Sequence, residues 1–257
     1  MIIEQRRKKI LEILVEKNII SIDELAKEFD VSRVTVQRDL KVLESEGFVS
    51  KIHNGAKLKP SDNLRIETKF EVRLKQFYEE KLEIAKKAIS YVNDGDTIFL
   101  DSSSTIYIFA LELFKKPFID LNVITNSTGI LFESFKHPNI KMISTGGILN
   151  IELNMLIGKW VIDFIEKINF EKAFISAAGL SNYKIITTSS QEIEDIVSTV
   201  CEKSIEINLL LDSSKFMKSG MFNISDIKDF KRIITNSNIN EQVILDLKNI
   251  NGPEIIF

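Results

Sequence analysis

One set of side chains between positions 31 and 47 has the types and spacing that DNA recognition requires. Apolar Val36, Leu40 and Leu43 recur at helical spacing, so they would bury one side of a helix. The opposite side is basic and amide-bearing, with no acidic residue at its centre. Arginine and amide groups can read base edges in the major groove, whereas lysines and hydroxyls contact phosphates. The residues that we expect to contact DNA are Ser32, Arg33, Val34, Thr35, Gln37, Arg38, Lys41, Lys51 and His53.

These residues have different expected roles. Thr35, Gln37 and Arg38 are expected to face base edges, and Val34 to touch a thymine methyl group. The residues expected to hold phosphates are Ser32, Arg33, Lys41 and Lys51. His53 either stabilises its hairpin or contacts the DNA backbone. The alternative for the whole helix is an ordinary amphipathic helix whose charged face is solvated.

A second set of polar residues follows short apolar segments, at the points where buried strands would end. The loop 101–105 opens a helix, whose free backbone donors and positive dipole end attract a phosphate. Gly146-Gly147 would let a ligand approach the backbone closely, and Lys215 would supply a countercharge for an anion. One such turn can be a plain helix cap, but a succession of five favours a binding site. The residues expected to bind an effector are Asp101, Ser102, Ser103, Ser104, Thr105, Thr125, Asn126, Gly146, Gly147, Gly179, Glu192, Asp212 and Lys215.

Acidic residues in the same loops also permit an enzyme. Asp101 and Asp212, close to Lys215, could transfer protons in a sugar-phosphate isomerase that carries a DNA-binding module. However, the sequence contains no P-loop, no GxGxxG motif and no nucleophile elbow, and a DNA-binding module would be idle in a plain enzyme. A third alternative is a constitutive DNA-binding or scaffolding protein without a ligand. We expect a regulator rather than an enzyme.

The elements that would position the first set form a domain over residues 1–58. An apolar helical stripe comes first, and Ser21 with Glu24 forms a capping box at the start of a second helix. A short turn then leads into the helix of the first set, which Gly47 would end. Asn54-Gly55 between two β-like segments predicts a hairpin, because both residues tolerate positive φ. Three helices and this wing predict a winged helix-turn-helix domain.

Residues 59–80 are expected to form a linker and a docking segment, because a polar, Pro-containing break precedes a mixed apolar and charged stretch. Residues 81–257 are expected to form an effector-binding α/β domain, because strand-like and helical runs alternate. The predicted strands are Thr97–Asp101, Asn122–Asn126, Ile140–Ser144, Ala173–Ala177, Ile207–Asp212, Arg232–Asn236 and Glu254–Phe257. The predicted helices are Leu82–Val92, Ser104–Phe114, Ser127–Phe135, Trp160–Ile168, Gln191–Lys203 and Ile239–Lys248. This alternation predicts a mainly parallel sheet with helices on both sides.

Composition limits the classes of protein that the chain can represent. It has 257 residues, of which 44% are hydrophobic and 28% charged, as is ordinary for a soluble protein. Residues 1–59 hold 12 Lys/Arg against 10 Asp/Glu, and the rest 22 against 27, which favours two modules. A single cysteine excludes an internal disulfide, and two histidines give no expected metal site. With no signal peptide and no apolar run near ~18 residues, we expect a cytoplasmic protein without membrane association or cofactor.

Many residues of both modules match the pattern of a known family. In the first module these are Arg7, Ile10, Leu25-Ala26, Val31-Ser32, Thr35-Val36, Arg38-Asp39-Leu40, Leu43, Gly47 and His53-Asn54-Gly55-Ala56. In the second they are Lys81, Gly95-Asp96, Asp101-Ser102, Thr125-Asn126-Ser127, Gly146-Gly147, Gly158, Gly179 and Asp212-Ser213-Ser214-Lys215-Phe216. Together they resemble the DeoR family of bacterial transcriptional regulators.

This resemblance implies a fold and a function. The fold is α/β, with an N-terminal winged helix-turn-helix domain followed by a mainly parallel α/β domain similar to the ribose-phosphate isomerase and CoA-transferase fold. The function is that of a DNA-binding regulator, in particular a repressor of a carbohydrate or nucleoside utilisation operon, switched by a phosphorylated sugar or related metabolite. The expected partners are double-stranded operator DNA, the effector and further copies of the chain, because groove-reading modules work as symmetric pairs.

Four features depart from the family pattern. Gln37 replaces a usual arginine and would read adenine, and Asn54 replaces a glycine but tolerates the same turn. Ser103-Ser104 replaces Gly-Thr at a turn where a positive φ is expected. The family usually has a basic residue just after the acidic stretch 191–195, but here no Lys or Arg occurs from residue 185 to 202. This missing charge points to a less anionic effector. Glu192 in that stretch is either a ligand for sugar hydroxyls or solvated on its helix.

Overall fold

The computed structural model describes residues 3–17, 19–45, 48–58, 70–138, 140–250 and 252–257. The chain divides into two compact units, Met1–Arg65 and Ile66–Phe257, which we call the N-terminal and C-terminal units. Two predictions lie outside the described residues: Gly47 as the stop of the third helix, and the structure of linker residues 59–69.

The described part of the N-terminal unit consists of three helices and a three-stranded antiparallel sheet. In chain order its elements are α1 (Ile3–Lys17), β1 (Ile19–Ser21), α2 (Ile22–Phe29), α3 (Arg33–Ser45), β2 (Val49–Ile52) and β3 (Gly55–Leu58). Leu14, Leu25 and Leu40 are fully buried and join the three helices in one core. The predicted helices are confirmed, and so is the buried stripe formed by Val36, Leu40 and Leu43.

Local hydrogen bonds determine where α2 and α3 begin. Ser21 Oγ accepts a hydrogen bond from the Glu24 N–H at 3.1 Å, and Glu24 Oε2 accepts one from the Ser21 N–H at 3.0 Å. This is the predicted capping box. Asp30 then adopts a φ of 50°, which ends α2. Ser32 Oγ accepts a hydrogen bond from the Thr35 N–H at 3.2 Å, so α3 follows after a short turn, as a helix-turn-helix requires.

The wing is present, but its turn differs from the prediction by one residue. Ile52 pairs with Gly55, so the two-residue loop is His53-Asn54 rather than Asn54-Gly55. Asn54 has a φ of 60°, whereas Gly55 is a strand residue that pairs with both neighbouring strands. A Cβ on Gly55 would lie 2.5 Å from the carbonyl oxygen of Ile20. Glycine is therefore required here for the close approach of β1, a short strand that the sequence did not predict.

A buried ion pair connects α3 to α1. Asp39 Oδ2 accepts a hydrogen bond from Arg6 Nε at 2.6 Å, and Asp39 Oδ1 accepts one from Arg7 Nε at 3.0 Å. The side chains of Asp39 and Arg6 are only 3% and 8% exposed. Their charges are therefore stabilised by each other rather than by water. Because Asp39 must face the arginines of α1, the pair fixes the rotation of α3 and turns Arg38 outwards.

The C-terminal unit is built around a parallel sheet. In chain order its helices and strands are α4 (Phe70–Lys75), α5 (Tyr78–Ala88), β4 (Thr97–Leu100), α6 (Ser104–Leu113), β5 (Asn122–Thr125), α7 (Thr128–Ser134), β6 (Lys141–Ser144), β7 (Ile148–Asn150), β8 (Met155–Ile157), α8 (Lys159–Ile165), β9 (Phe170–Ile175), β10 (Gly179–Ser181), β11 (Ile185–Thr188), α9 (Gln191–Glu202), β12 (Ser204–Leu210), β13 (Phe222–Asp226), β14 (Arg232–Ile234), α10 (Glu241–Lys248) and β15 (Glu254–Ile256). Seven of the described strands form one sheet in the order β15-β14-β12-β9-β4-β5-β6. Every neighbouring pair in this sheet is parallel.

Both faces of this sheet are buried. Along β4, Ile98 and Leu100 belong to one apolar cluster and Phe99 to another, as the alternation of side chains in a strand requires. Helices α5, α6 and α7 contribute to the first cluster, and α8, α9 and α10 to the second. The predicted parallel sheet with helices on both sides is therefore confirmed. The hairpin β7-β8 and the small sheet β10-β11-β13 were not predicted.

Residues 70–80 of the predicted linker and docking segment lie within the C-terminal unit. Phe70 on α4 is buried, and its ring meets that of Tyr107 on α6 edge-on, with 5.4 Å between the ring centroids. Helix α5 begins at Tyr78, before the predicted start of the α/β domain at residue 81. The docking segment thus contributes α4 and the first turn of α5 to this unit.

We expect Asp39→Asn to destabilise the N-terminal unit by about 3–5 kcal/mol, because it leaves the buried Arg6 guanidinium without its countercharge. Urea unfolding of the full chain measures the loss, and hydrogen exchange of the α3 amides localises it. The matched control is Glu28→Gln, at an exposed acid on α2, which should change stability by less than about 0.5 kcal/mol. Equal stability of the two variants would contradict a structural role for the ion pair.

Candidate DNA interface and effector site

A groove between α3 and the wing collects most of the residues predicted to contact DNA. The predicted residues that line it are Arg33, Val34, Gln37, Arg38, Lys41, Lys51 and His53. The other two, Ser32 and Thr35, lie at the start of α3, where their hydroxyl oxygens are 2.9 Å apart. Val34 is 55% exposed although it is apolar, and Gln37, Arg38 and Lys41 are exposed beside it. The outer side of α3 is therefore exposed in the N-terminal unit.

Arg33 is part of a contact triangle that the sequence did not indicate. Its guanidinium forms a close ion pair with Asp23 on α2, and its Nη2 donates a hydrogen bond to Asn54 Oδ1 at 2.6 Å. Asn54 Nδ2 donates to Asp23 Oδ2 at 3.2 Å and completes the triangle. The three side chains connect the tip of the wing to α2 and α3. Arg33 keeps further N–H donors, so the phosphate contact predicted for it is compatible with this arrangement.

Lys51 and His53 present polar groups on the wing. Lys51 Nζ lies 3.5 Å from Glu44 Oε2, and the Lys51 N–H donates to Glu44 Oε1 at 3.1 Å. Both side chains are exposed, so this ion pair contributes little to stability and leaves the lysine available for a phosphate. His53 is exposed in the loop, and its side chain has no hydrogen-bond partner among the described residues. Hydrogen bonding by this imidazole therefore does not hold the hairpin.

In the C-terminal unit, Asp101 joins the ends of two neighbouring strands. It follows β4, and its Oδ2 accepts a hydrogen bond at 2.6 Å from the N–H of Ser176, which follows β9. Its Oδ1 accepts one from the Ser103 N–H at 2.7 Å. Burial raises the pKa of Asp101 to about 6, although these hydrogen bonds act in the opposite direction. Asp101 is thus a buried carboxyl group at the carboxyl edge of the sheet.

Ser103 caps α6 without backbone strain. It has a φ of −70°, and its Oγ accepts a hydrogen bond from the Ile106 N–H at 3.2 Å. The positive φ expected at Ser103-Ser104 is therefore wrong for this chain, because an extended cap residue suits serine better than glycine. The adjacent predicted residues Ser102, Ser104 and Thr105 are buried at the start of the same helix.

Lys81 faces the same loop and was not among the predicted effector-binding residues. Its buried ammonium donates to Ser104 Oγ at 3.1 Å, to the carbonyl oxygen of Gln76 at 2.7 Å and, more closely, to the carbonyl oxygen of Arg73. Burial lowers the pKa of Lys81 to about 8, and the nearby charge of Asp212 opposes that change. A lysine inside an amphipathic helix carries no local signal, so only the family pattern could have indicated this residue.

Two buried oxygens at this edge, Asn126 Oδ1 and Asp212 Oδ2, accept no hydrogen bond from the described residues. The other Asp212 oxygen accepts hydrogen bonds from the N–H and the hydroxyl of Ser214. Thr125 Oγ1 donates to a β4 carbonyl oxygen at 2.7 Å, and Lys215 ends the short 3₁₀ turn after β12. Acceptor oxygens next to hydroxyl and ammonium groups suit a ligand that carries both hydroxyls and negative charge.

The remaining predicted effector residues have other surroundings. Gly146 and Gly147 have φ values of 67° and 124°; a Cβ on Gly147 would collide with α8, whereas one on Gly146 would meet nothing within 4 Å. A Cβ on Gly179 would lie 2.2 Å from the carbonyl oxygen of Lys218, so close chain packing requires this glycine. Glu192 is exposed in the first turn of α9 and has no hydrogen-bond partner among the described residues.

Other kinds of site find little support in the described ranges. There, no group of three or more His, Cys, Asp or Glu side chains is placed to hold a metal ion. None of the helices described is both long and apolar enough to cross a membrane. Burial raises the pKa of the Cys201 thiol to about 12, which disfavours its thiolate form.

The two units together define a DNA-binding transcriptional regulator with a ligand-sensing domain, because an exposed helix-turn-helix groove is joined to a parallel sheet with polar groups at its carboxyl edge. A model of the DeoR-like helix-turn-helix domain matches residues 6–62, and a model of the DeoR C-terminal sensor domain matches residues 76–237. The chain belongs to the DeoR family.

Similar proteins agree with this assignment. The lactose phosphotransferase system repressor of Lactococcus lactis is 33% identical over 93% of each chain. The HTH-type transcriptional regulator GolR of Listeria innocua is 32% identical over 92% of each chain. The L-fucose operon activator of Escherichia coli is 29% identical over 90% of this chain and 93% of its own. These relatives are regulators, so the prediction of a regulator rather than an enzyme is confirmed.

A solved structure also resembles part of the chain. The ribose 5-phosphate isomerase A of Methanocaldococcus jannaschii aligns with 54% of this chain and 54% of its own, at 19% identity and a TM-score of 0.41.

We expect Asn54→Gly to weaken operator binding by about 1 kcal/mol, roughly fivefold, because the wing tip loses its hydrogen bonds to Arg33 and Asp23. Glycine accepts the left-handed φ of this position, so the turn itself is kept. Fluorescence anisotropy at fixed salt, with an operator selected from random DNA, measures the change. The matched control is Asn182→Gly, at an exposed asparagine with a φ of 48° in the C-terminal unit. Wild-type affinity in Asn54→Gly would show that the triangle does not position the wing.

Proposed function

We propose that this regulator represses a carbohydrate or nucleoside utilisation operon and that a phosphorylated sugar or related metabolite controls it. The names of two relatives, a lactose phosphotransferase system repressor and an L-fucose operon activator, support a sugar-related role. The observation that carries the proposal is the hydrogen bond of Lys81 to Ser104, because an ammonium beside the start of a helix attracts a phosphate. In this proposal the protein acts in the cytoplasm as a homo-oligomer on double-stranded operator DNA.

In the proposed DNA complex, α3 lies in the major groove. Thr35, Gln37 and Arg38 face base edges, with glutamine suited to adenine and arginine to guanine, and Val34 meets a thymine methyl group. The residues proposed to hold the phosphates are Ser32, Arg33, Lys41, Lys51 and His53. Support comes from the exposure of these side chains on α3 and the wing.

Arg38→Ala tests the DNA-binding proposal. We expect it to cost about 1–3 kcal/mol of operator affinity and to relax discrimination against random DNA, because it removes a base contact. Lys41→Ala should instead weaken operator and random DNA alike and reduce the salt slope by about 1. The control is Lys27→Ala, at an exposed lysine of α2 outside the groove. Unchanged discrimination in Arg38→Ala would refute its role in base reading.

The proposed effector binds at the carboxyl edge of the sheet. Its phosphate contacts the start of α6, where Ser102, Ser103, Ser104 and Thr105 lie, and the ammonium groups of Lys81 and Lys215 balance its charge. Its hydroxyls donate to the unpaired oxygens of Asn126 and Asp212. The residues also proposed for this site are Asp101, Thr125, Gly146, Gly147, Gly179 and Glu192.

The bound effector would then shift the protomers towards an arrangement in which paired recognition helices no longer match half-sites one DNA turn apart.

The pH dependence of effector binding tests this site. At least one phosphosugar should raise the unfolding temperature. The expected gain in the free energy of unfolding is about 2.7 kcal/mol at a phosphosugar concentration in hundredfold excess over its dissociation constant. Its affinity, measured by calorimetry, should fall as the pH rises from 7 to 9, because Lys81 loses its charge above its pKa of about 8. Asp101, with a pKa of about 6, is ionised throughout this range.

Two variants separate Lys81 from its neighbours in that experiment. Lys81→Gln should bind the phosphosugar more weakly and lose the pH dependence between 7 and 9. Lys86→Gln, at an exposed lysine of the same helix, should behave as the wild type. The proposal fails if no phosphosugar stabilises the protein, or if the affinity of Lys81→Gln keeps the wild-type pH profile.

A further inference from the structure

Ile52, at the end of β2, is an apolar side chain exposed inside the groove between α3 and the wing. It is 41% exposed and belongs to the lining of this groove. Its cross-strand partner on β3 is Gly55, which has no side chain to cover it. Ile19 on β1 is also exposed, at 50%, but it does not line the groove. Single exposed apolar residues are normal, so its position, rather than its exposure, distinguishes Ile52.

The charges around Ile52 complement a polyanion. The described lining of the groove contains four cationic side chains and no acidic one. These cations are Arg33, Arg38, Lys41 and Lys51. Asp23 and Glu44 pair with the first and the last of them but lie outside the lining. Arg38 and Lys41 form no ion pair with a described residue. Phosphates of a nucleic acid strand therefore suit the groove, and the occupant must also offer an apolar group to Ile52.

The docking geometry indicates which apolar part of DNA meets Ile52. With α3 in the major groove, thymine methyl groups lie on the α3 side, where Val34 is exposed. The wing then lies beside the strand that borders the major groove. Lys51, which also lines the groove, is the wing residue proposed to hold a phosphate of that strand. Phosphates and sugars alternate along a strand, so a side chain beside a phosphate contact meets the C–H groups of a deoxyribose.

We propose that Ile52 packs against a deoxyribose of the strand beside the wing and selects deoxyribose over ribose. A ribose at this position would bury its 2′-hydroxyl against an aliphatic side chain that offers no hydrogen bond. The 2′-hydroxyl is the group by which a protein distinguishes RNA from DNA at a given site. The inference rests on the proposed function in placing α3 in the major groove, and it adds a selectivity that base contacts do not provide.

A ribonucleotide scan of the operator tests the proposal. Single deoxyribonucleotides of an operator selected from random DNA are replaced by ribonucleotides. Fluorescence anisotropy at fixed salt then measures the affinity of the full chain for each duplex. For the wild type, one position in each half-site should lower the affinity about fivefold or more, because an unpaired hydroxyl is buried there.

Two substitutions of Ile52 with nearly the same shape separate polarity from packing. Ile52→Val keeps an apolar side chain and should keep the ribonucleotide penalty. Ile52→Thr offers a hydroxyl group to the ribose and should lose that penalty. On the unmodified operator, Ile52→Thr should bind about fourfold more weakly than the wild type, because apolar contact is lost. The matched control is Ile19→Thr on β1, outside the groove, which should behave as the wild type with every duplex.

Three results would overturn the proposal. The first is an equal ribonucleotide penalty in Ile52→Val and Ile52→Thr at every position. The second is a loss of affinity in Ile52→Thr that disappears when one thymine is replaced by deoxyuridine, because Ile52 would then contact a methyl group. The third is equal affinity of the wild type for the operator and for an RNA duplex of the same sequence.

Stability and helix placement are checked separately. If Ile52→Thr does not keep the wild-type unfolding temperature, Ile52→Ser takes its place in the scan, with the same expected loss of the penalty. The placement of α3 in the major groove fails on its own if Arg38→Ala leaves discrimination against random DNA unchanged. A failed ribonucleotide scan together with the expected behaviour of Arg38→Ala would refute only the role of Ile52.

Discussion

The parallel alignment of the seven-stranded sheet is the constraint on which the C-terminal unit depends. A parallel connection must return the chain to the same end of the sheet, so helices cover both faces and the strands become buried. All carboxyl ends then lie along one edge. This is why Asp101 can accept a backbone hydrogen bond from Ser176, a residue 75 positions away in the sequence. The loops that leave this edge lie outside the hydrogen-bond ladder of the sheet. Their polar groups are therefore available for helix caps, for ion pairs and for a ligand.

In the N-terminal unit, one short helix has two roles. Helix α3 must bury an apolar stripe and also present a polar side, and neighbouring residues on it do opposite things. Asp39 is buried against two arginines of α1, while Arg38, one residue earlier, is exposed. A buried ion pair contributes little net stability when it forms, but breaking it is costly, so it favours one rotation of the helix over others. The direction in which Arg38 points is therefore fixed by a residue that no DNA would touch.

Strands that alternate with helices in the C-terminal unit could be predicted from the sequence, including the three-residue strands β14 and β15, whereas strands outside this alternation could not. The capping box at Ser21 and the buried strands of the central sheet carry local signals, and both are present. Strand β1 and the hairpin β7-β8 are short and lie outside that alternation. The predicted turn of the wing is one residue too late in the chain, because a glycine after Asn54 is typical of a turn. In the structure Gly55 instead allows the close approach of β1. Within the candidate site, Ser103 could be placed from its loop, but Lys81 could not, since burial and partners from α4 give it its importance.

The three hydrogen bonds of Lys81 have a consequence for how a signal could leave the effector site. An ammonium group has three hydrogens, and here two point to carbonyl oxygens at the C-terminal end of α4 and one to Ser104. An anion that binds Lys81 must therefore take a donor from one of these acceptors. At the proposed site, ligand binding and the anchoring of α4 would therefore compete for the same three hydrogens. Helix α4 is the first described element after the segment that follows the wing. A ligand that takes a hydrogen bond from Lys81 would therefore weaken the attachment of the helix at the start of the sensor domain.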